Sequence, residues 1–150
     1  MNNNFNNHYK MILLLGIILL SGCFSKDPYF VIKGYIDCEE YFEDGWMDYT
    51  DYCLYFYTPK DDALFQNSSH YQKLSNNKMS ELQSFLKDYN ECFVFREGYR
   101  DWYDFDSMSL SLDDYYILQV NQKDGDKYHN YDIYYYDTSK HILYYFHNDK

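Results

Sequence analysis

The feature that most constrains the fold of this chain is its supply of aromatic side chains. Its 150 residues include 21 Tyr, 11 Phe and 2 Trp. From Cys23 onward the chain holds only 17 Val, Ile and Leu and a single Ala. These aliphatic side chains are too few to fill a core, so many Tyr and Phe must be buried. Each buried Tyr then needs a hydrogen-bond partner for its hydroxyl, and the surplus Tyr must lie at the surface.

The composition also bounds the class of protein. A hydrophobic content of 46% excludes an intrinsically disordered chain, and six Gly with two Pro exclude a collagen-like or linker composition. The formal net charge is −11, from 13 Lys and Arg against 24 Asp and Glu. A general nucleic-acid binder needs clustered cations to neutralise phosphates, so we expect no nucleic-acid partner. The length suits one domain.

The N-terminal residues have the organisation of an export signal. Residues 1–10 are polar and end in Lys10, and residues 11–20 form an unbroken apolar run. A membrane-spanning helix needs roughly 20 apolar residues, whereas the core of an export signal needs about 7 to 15. A buried helix of the domain is the poorer alternative, because no polar position in the run could face solvent.

The residues after this run are Leu20, Ser21, Gly22 and Cys23. This segment resembles the lipobox of bacterial lipoproteins, which is an apolar residue and two small residues followed by Cys. The resemblance covers residues 1–23 and implies cleavage before Cys23, whose thiol takes a diacylglyceryl group. Such a lipid exceeds the two signals that stable membrane anchoring requires. We therefore expect a membrane-anchored protein that faces outside the cytoplasm.

The expected organisation is a removed signal at 1–22, a lipid-anchored tether at 23–28 and one domain at 29–150. The tether reaches under roughly 20 Å at ~3.3 to 3.6 Å per residue, so the domain should sit close to the bilayer. Lys10 is the only charged residue before Cys23, so the mature chain carries 12 basic and 24 acidic residues. Its charge of −12 should turn the domain away from an anionic membrane. Phe24 stands where Asp would signal inner-membrane retention, which leaves the outer membrane open if the host has one.

The residue pattern predicts an α+β domain with two N-terminal strands, one main helix and then an antiparallel meander. Alternating apolar and polar residues predict strands over Tyr29–Asp37 and Tyr52–Tyr57. Apolar residues at helical spacing behind a capping-box pattern at Ser80 predict a helix over about 79–90. Further strands are expected at Cys92–Phe95, 115–120, 131–136 and 141–147.

The last two predicted strands form the clearest hairpin, with residues 137–140 as its turn. This register gives the better core face to Tyr131, Ile133, Tyr135, Ile142, Tyr144 and Phe146. The opposite face then carries Asp132, Tyr134, Tyr136, His141, Leu143, Tyr145 and His147. His141 and His147 are six residues apart, which is ~20 Å along a strand and too far for two ligands of one ion. Surface histidines are therefore the favoured interpretation.

An acidic segment at 37–51 is the strongest local anomaly. It contains Asp37, Glu39, Glu40, Glu43, Asp44, Asp48 and Asp51 and no Lys or Arg. The cluster suits a cationic partner or Ca²⁺, but the EF-hand spacing is absent and a solvated connector is favoured.

The pattern Trp, any residue, Asp, aromatic occurs at 46–49 and again at 102–105. If the two segments meet, they form an acidic rim around exposed aromatic rings. The candidate binding surface comprises Asp44, Trp46, Asp48, Asp51, Asp101, Trp102 and Asp104. The alternative is that both Trp side chains fill the core.

Lipidation of Cys23 would leave three cysteines in an exported domain, where oxidation is permitted. We expect one disulfide, most simply between Cys38 and Cys53, with Cys92 as the alternative partner or a free thiol. The Cys38–Cys53 pair would close a loop of about 15 residues and contribute on the order of 3 kcal/mol. No Cys-x-x-Cys occurs and no His lies at ligand spacing from these thiols, so no metal site is expected.

Neither the P-loop nor the common Gly-rich, hydrolase or zinc-protease motifs occur in the sequence. We therefore expect no catalytic residues and no cofactor. The first functional hypothesis is a non-catalytic, lipid-anchored interaction module whose acidic, Tyr-rich surface binds a protein or an envelope glycan. The alternative is an acidic inhibitor or immunity-type protein that binds a cationic toxin or lysozyme-like enzyme.

Overall fold

The computed structural model describes residues 27–44, 49–94, 103, 105–124 and 127–149. The strands are β1 Asp37–Asp44, β2 Tyr49–Phe56, β3 Gln72–Lys73, β4 Tyr115–Asp124, β5 Lys127–Asp137 and β6 Ile142–Asp149. The helices are α1 Asp62–Gln66 and α2 Asn76–Val94, with short 3₁₀ turns at Pro59–Asp61 and Ser107–Ser109.

All six strands form one sheet in the order β1-β2-β6-β5-β4-β3, and every neighbouring pair is antiparallel. This confirms the α+β class, with the sheet as the larger part. The finer prediction of two strands followed by one main helix is wrong. Within the described residues, α1 and the short strand β3 also precede α2.

The predicted first strand over Tyr29–Asp37 is wrong, because only its last residue belongs to the sheet. The preceding residues lie across one face of the sheet, where tyrosine hydroxyls bind their backbone. Tyr57 donates a hydrogen bond to the Ile32 carbonyl at 2.5 Å, and Tyr71 donates one to the Phe30 carbonyl at 3.0 Å. These side chains replace the strand ladder that the alternating pattern predicted.

The acidic segment forms β1 and the start of β2, so its interpretation as a connector is wrong for the described part. Asp37 and Glu39 are exposed on β1, and Glu40 is half-buried. β1 is an edge strand, and charged side chains on such a strand discourage pairing with another chain. The described charges of β1 thus belong to the sheet edge.

Helix α2 begins three residues before the predicted helix and continues through Val94, so the strand predicted from Cys92 is wrong over its described part. Its buried residues Leu82, Phe85, Leu86 and Tyr89 pack against the sheet. The Phe85 ring lies 5.0 Å from the ring of Tyr131 on β5. We call the side of the sheet that α2 covers the α2 face.

The predicted core face of the last hairpin is confirmed, although the pairing of its strands is shifted by two residues from the one that a turn at 137–140 gives. Ile133 lies opposite Phe146 and Tyr135 lies opposite Tyr144, all in the core under α2. The turn itself lies one residue later than predicted, because β5 ends at Asp137.

The opposite side of the sheet is also buried, which the sequence pattern did not predict. There Tyr134, Tyr136, Leu143 and Tyr145 form a second core with residues of the N-terminal segment and α1. The Phe65 ring of α1 stacks on Tyr136 at 3.5 Å between centroids and 7° between planes. We call this side the N-terminal face, because residues 27–36 cover it together with α1.

Several buried tyrosines have the hydroxyl partners that they need, although the hydroxyl of the buried Tyr55 has none among the described residues. The Tyr89 hydroxyl donates to the Asp51 carbonyl at 2.5 Å, and Tyr131 donates to the Asp88 carboxylate at 2.9 Å. Tyr135 donates to the carboxylate of Asp114. Asp114 is 1% exposed and also accepts hydrogen bonds from Thr138 and Ser111. These bonds tie tyrosines of the core to neighbouring elements.

Neither helix in the described segments is long and apolar enough to cross a membrane.

Candidate functional site

A row of polar side chains crosses the middle of the sheet on the N-terminal face. Asp51 on β2 lies opposite His147 on β6, and His147 lies opposite Asp132 on β5. Directly opposite residues of antiparallel strands share one face of the sheet. We call these three residues the Asp-His-Asp row.

Asp132 is the acceptor at the centre of this row. Its Oδ1 lies 2.9 Å from His147 Nδ1 and accepts a hydrogen bond from the Tyr145 hydroxyl at 2.7 Å. Its Oδ2 accepts a hydrogen bond from the Asn121 amide at 2.9 Å. The side chains of Asp132 and His147 are only 13% and 16% exposed. The carboxylate therefore joins three strands through a nearly buried ion pair.

The two charged partners shift each other's protonation. Burial alone would lower the pKa of His147, but its hydrogen bond to Asp132 and the charges of Asp132 and Asp51 outweigh burial and raise it. Burial alone would raise the pKa of Asp132, but its hydrogen bonds with His147, Tyr145 and Asn121 outweigh burial and lower it. The charged pair therefore persists over a wider pH range than either group alone would allow.

A second cluster of the same residue types lies where α1 meets the last hairpin. Asp62 Oδ1 accepts a hydrogen bond from the Tyr136 hydroxyl at 2.5 Å and lies 2.9 Å from His141 Nδ1. The His141 and Asp62 side chains are 26% and 38% exposed, so this cluster is more solvated than the Asp-His-Asp row. His141 has a φ of 57°, in the left-handed region that ends the turn before β6.

The interpretation of His147 as a surface histidine is wrong, because its side chain is nearly buried against Asp132, whereas His141 is partly exposed and pairs with Asp62. Of the two histidines, only His147 contacts Asp132. Among the residues that the structure describes, no group of three or more His, Cys, Asp and Glu side chains could hold a metal ion.

The Asp-His-Asp row is built to join strands. Burial and the neighbouring charge of Asp132 raise the pKa of Tyr145 far above its ordinary value, so its hydroxyl stays protonated and donates. The Asp132 carboxylate already accepts from three donors. This arrangement joins β4, β5 and β6 and stabilises the sheet.

A groove of about 350 Å³ lies beside the outer edge of β4. It is lined by His70, Gln72, Lys78, Glu81, Tyr116, Ile117, Leu118 and Val120. Lys78 and Glu81 on α2 form an ion pair at 2.6 Å at its rim. Sequence reasoning missed this groove, because its walls come from α2, β4, β3 and the residues just before β3.

The structure tests the predicted binding surface only in part. Asp44 is the last residue of β1, and Asp51 lies within β2 with only 8% of its surface exposed. The prediction of Asp51 as part of an exposed rim is therefore wrong, since its side chain belongs to the Asp-His-Asp row. The other members, Trp46, Asp48, Asp101, Trp102 and Asp104, lie outside the described residues.

The predicted disulfide between Cys38 and Cys53 is absent, and both thiols are free. In the register of β1 and β2, Cys38 lies opposite Tyr55 and Cys53 lies opposite Glu40. The cysteines are thus diagonal neighbours, about 7 to 8 Å apart, beyond the usual reach of a disulfide. Burial raises the pKa of the Cys53 thiol, which keeps it protonated and unreactive. Cys92 lies in α2, but its side chain is not among those described.

Comparison with known proteins adds no relative: no family model matches the chain, and neither a curated protein nor a solved structure matches it. The fold defines the protein only as a mixed α+β domain built on one antiparallel sheet. Its function must therefore be argued from its own residues.

Proposed function

We propose that this protein is a lipid-anchored, extracytoplasmic interaction module without catalytic activity. The observation that carries the proposal is how the domain uses its polar groups. The described aspartates beside buried tyrosines and histidines are engaged in hydrogen bonds that hold the sheet together. Both faces of the sheet are covered by aromatic cores. A partner would therefore contact the edges of the sheet and the acidic surface.

The proposed anchor is consistent with how the described chain begins. Asp27 accepts a hydrogen bond from the Tyr35 hydroxyl at 3.1 Å and forms an ion pair with Lys33. Only three residues separate Asp27 from Cys23, so the two residues are at most about 14 Å apart, at about 3.6 Å for each of four steps. A lipid on Cys23 would therefore hold the N-terminal face close to the membrane and leave the α2 face directed outward.

Charge supports a partner outside the membrane. The mature chain would carry −12, and the described acids Asp37, Glu39, Asp106 and Asp113 are exposed. A negative surface repels an anionic bilayer and attracts basic surfaces. The proposed partner is a protein or an envelope glycan on the outer side of that membrane, which is the outer membrane if the host has one.

Membrane fractionation tests the anchor. Replacing Cys23 with Ala removes the thiol that would take the lipid, so the protein should move from the membrane fraction to the soluble fraction. Cys38→Ala is the matched control, because Cys38 is a half-buried strand residue outside the lipobox. It should stay with the membrane. Continued membrane association of the Cys23→Ala protein would refute the lipoprotein assignment.

The acidic edge favours a second candidate, an inhibitor or immunity-type protein against a cationic toxin or lysozyme-like enzyme. β1 is an outer strand of the sheet and carries Asp37 and Glu39 at exposed positions. Charge steering of this kind weakens as salt screens it. Recovery of one basic enzyme that is lost by about 0.5 M salt would favour the inhibitor, and salt-independent capture would count against it.

A further inference from the structure

Among the residues that the structure describes, one edge of the sheet has no neighbouring strand along most of its length. β4 has ten residues, but its outer neighbour β3 has two, and these pair only with Tyr115 and Tyr116. The residues before β3 form a turn and therefore do not continue the pairing with β4. There the Ser68 hydroxyl accepts hydrogen bonds from the backbone N–H groups of His70 at 3.2 Å and Tyr71 at 3.4 Å.

The backbone groups that face outward from this edge follow from the register. Leu74 donates its N–H to the Asp114 carbonyl at 2.8 Å, so Asp114 directs its backbone groups toward β3. In an antiparallel ladder every second residue points the same way. Leu118 and Val120 therefore direct their N–H and C=O groups away from β5. Outside the strand ladders, none of the backbone hydrogen bonds found among the described residues ends on either residue.

The edge strand is also accessible, and its own residues carry no charge. The groove beside β4 has Leu118 and Val120 in its wall, and Val120 is 42% exposed. Residues 115–122 contain no charged side chain. Natural edge strands usually carry charges that block pairing with another chain, as β1 does with Asp37 and Glu39. A strand added at β4 would meet no such barrier over residues 117–120, which lie beyond the pairs with β3 and before the irregularity of the β4–β5 register at Val120 and Gln122.

Charge decides between two occupants of the edge. A second copy of this chain could pair β4 with β4, but two mature chains of −12 each would repel. A basic segment of another protein would be attracted by the same negative charge. Guest residues opposite Leu118 and Val120 would share their side-chain face, the α2 face, and bury best when apolar. A partner segment that fits this edge would therefore alternate apolar and basic residues.

We infer that the outer edge of β4 binds an extended, basic segment of a partner protein, which joins the sheet as a strand antiparallel to β4 and in line with β3. Backbone hydrogen bonds to Leu118 and Val120 hold the segment, and its apolar side chains pack in the groove. The inference rests on the proposed interaction role and names its contact surface and its partner chemistry.

Three synthetic peptides test the inference on the full-length protein in detergent micelles. The first has ten residues in which Val and Lys alternate. The second is N-methylated at each Val and the third at each Lys. Because the Val residues face β4 with their N–H groups, methylation at Val should weaken binding by about tenfold or more. Methylation at Lys should leave affinity within about twofold, since those N–H groups face solvent.

Hydrogen exchange read by mass spectrometry locates the contact. The unmodified and the Lys-methylated peptides should slow exchange in residues 117–122. Val120→Pro removes an N–H that the sheet itself does not use. It should lower the affinity for the unmodified peptide about tenfold. Val120→Thr keeps the N–H and is the matched control. If Val120→Pro fails to fold, comparing the affinities of the two methylated peptides for the unaltered chain still tests the inference.

Equal affinity of the two methylated peptides, or the absence of any binding, would overturn the inference. Protection of residues 37–56 in place of 117–122 would also overturn it, but would leave an interaction module that binds through its acidic hairpin. Failure of the proposed membrane anchoring is measured separately by the fractionation of the Cys23→Ala protein.

Discussion

Replacement of Asp132 by Asn tests the Asp-His-Asp row. The substitution keeps the shape of the side chain and removes its charge, so His147 loses its anionic partner. The new amide also has an NH₂ group in the place of one acceptor oxygen, although the carboxylate accepts from three donors in the native protein. Because the sheet uses this carboxylate to join β4, β5 and β6, the free energy of unfolding should fall.

The size of the loss follows from burial. Breaking a fully buried ion pair costs about 3 to 5 kcal/mol, and an exposed pair contributes below about 1 kcal/mol. The two side chains are 13% and 16% exposed, close to the buried limit. Hydrogen bonds from Tyr145 and Asn121 can partly survive with the amide. We therefore expect a loss of about 2 to 3 kcal/mol where His147 is protonated.

The loss of stability caused by Asp132→Asn should depend on pH, because the ion pair exists only while His147 is protonated and Asp132 is ionised. The pKa of His147 is raised above its ordinary 6.5 in the folded protein, so the ion pair contributes fully below that pH and loses its contribution as pH rises through the raised pKa. The pKa of Asp132 is lowered from 3.8, so the contribution is also lost as pH falls through the lowered value. The deficit of Asp132→Asn should be largest between about pH 4 and 6.5 and smaller near pH 9.

Urea unfolding of the purified protein at about pH 5.5 and about pH 9 measures this deficit. Asp62→Asn is the matched control, because Asp62 has the same kind of His and Tyr partners but is 38% exposed. Its cost should be below that of Asp132→Asn. A deficit for Asp132→Asn that does not change with pH would refute the assigned ion pair, as would an equal cost for the control.

Two further predictions concern packing and thiols. Phe65→Ala should lower the free energy of unfolding by about 3 to 5 kcal/mol, because Phe65 is fully buried and stacks on Tyr136; Leu64→Ala next to it, 42% exposed, should cost far less in the same urea titration. Alkylation should label Cys38 in the native protein and Cys53 only after unfolding, since both are free thiols and Cys53 is 2% exposed. Mass mapping without reduction that finds a Cys38–Cys53 disulfide would contradict the register of β1 and β2.

Local patterns predicted those parts of the fold that depend on neighbours in sequence. Alternation placed Ile133 and Tyr135 on one face of the last hairpin, and the structure agrees. Helical spacing located the centre of α2, but not its ends, because Cys92–Val94 extend the helix. The same alternation misplaced the first strand, because hydroxyls of Tyr57 and Tyr71, distant in sequence, bind the backbone there.

The candidate sites were likewise predictable only where they depend on neighbours in sequence. The sequence showed that Asp132 and His147 would share a face, since that follows from the period of a strand. The pairing of His147 with Asp132 follows from the register of β5 and β6, whereas the pairing of His141 with Asp62 depends on α1 folding over the hairpin. The open edge of β4 depends on the length of β3, which no local pattern in the sequence indicates.

By itself the sequence determined that the core must be aromatic, since its aliphatic side chains are too few, and it predicts an export signal with a lipid attachment site at Cys23. Only the tertiary structure decided that both faces of the sheet are buried and that β4 keeps an open edge. The physical reason is that burial and strand pairing are contacts between distant segments. Periodicity shows which side chains share a face, and the packing of 27–36 and α1 decides whether that face meets water.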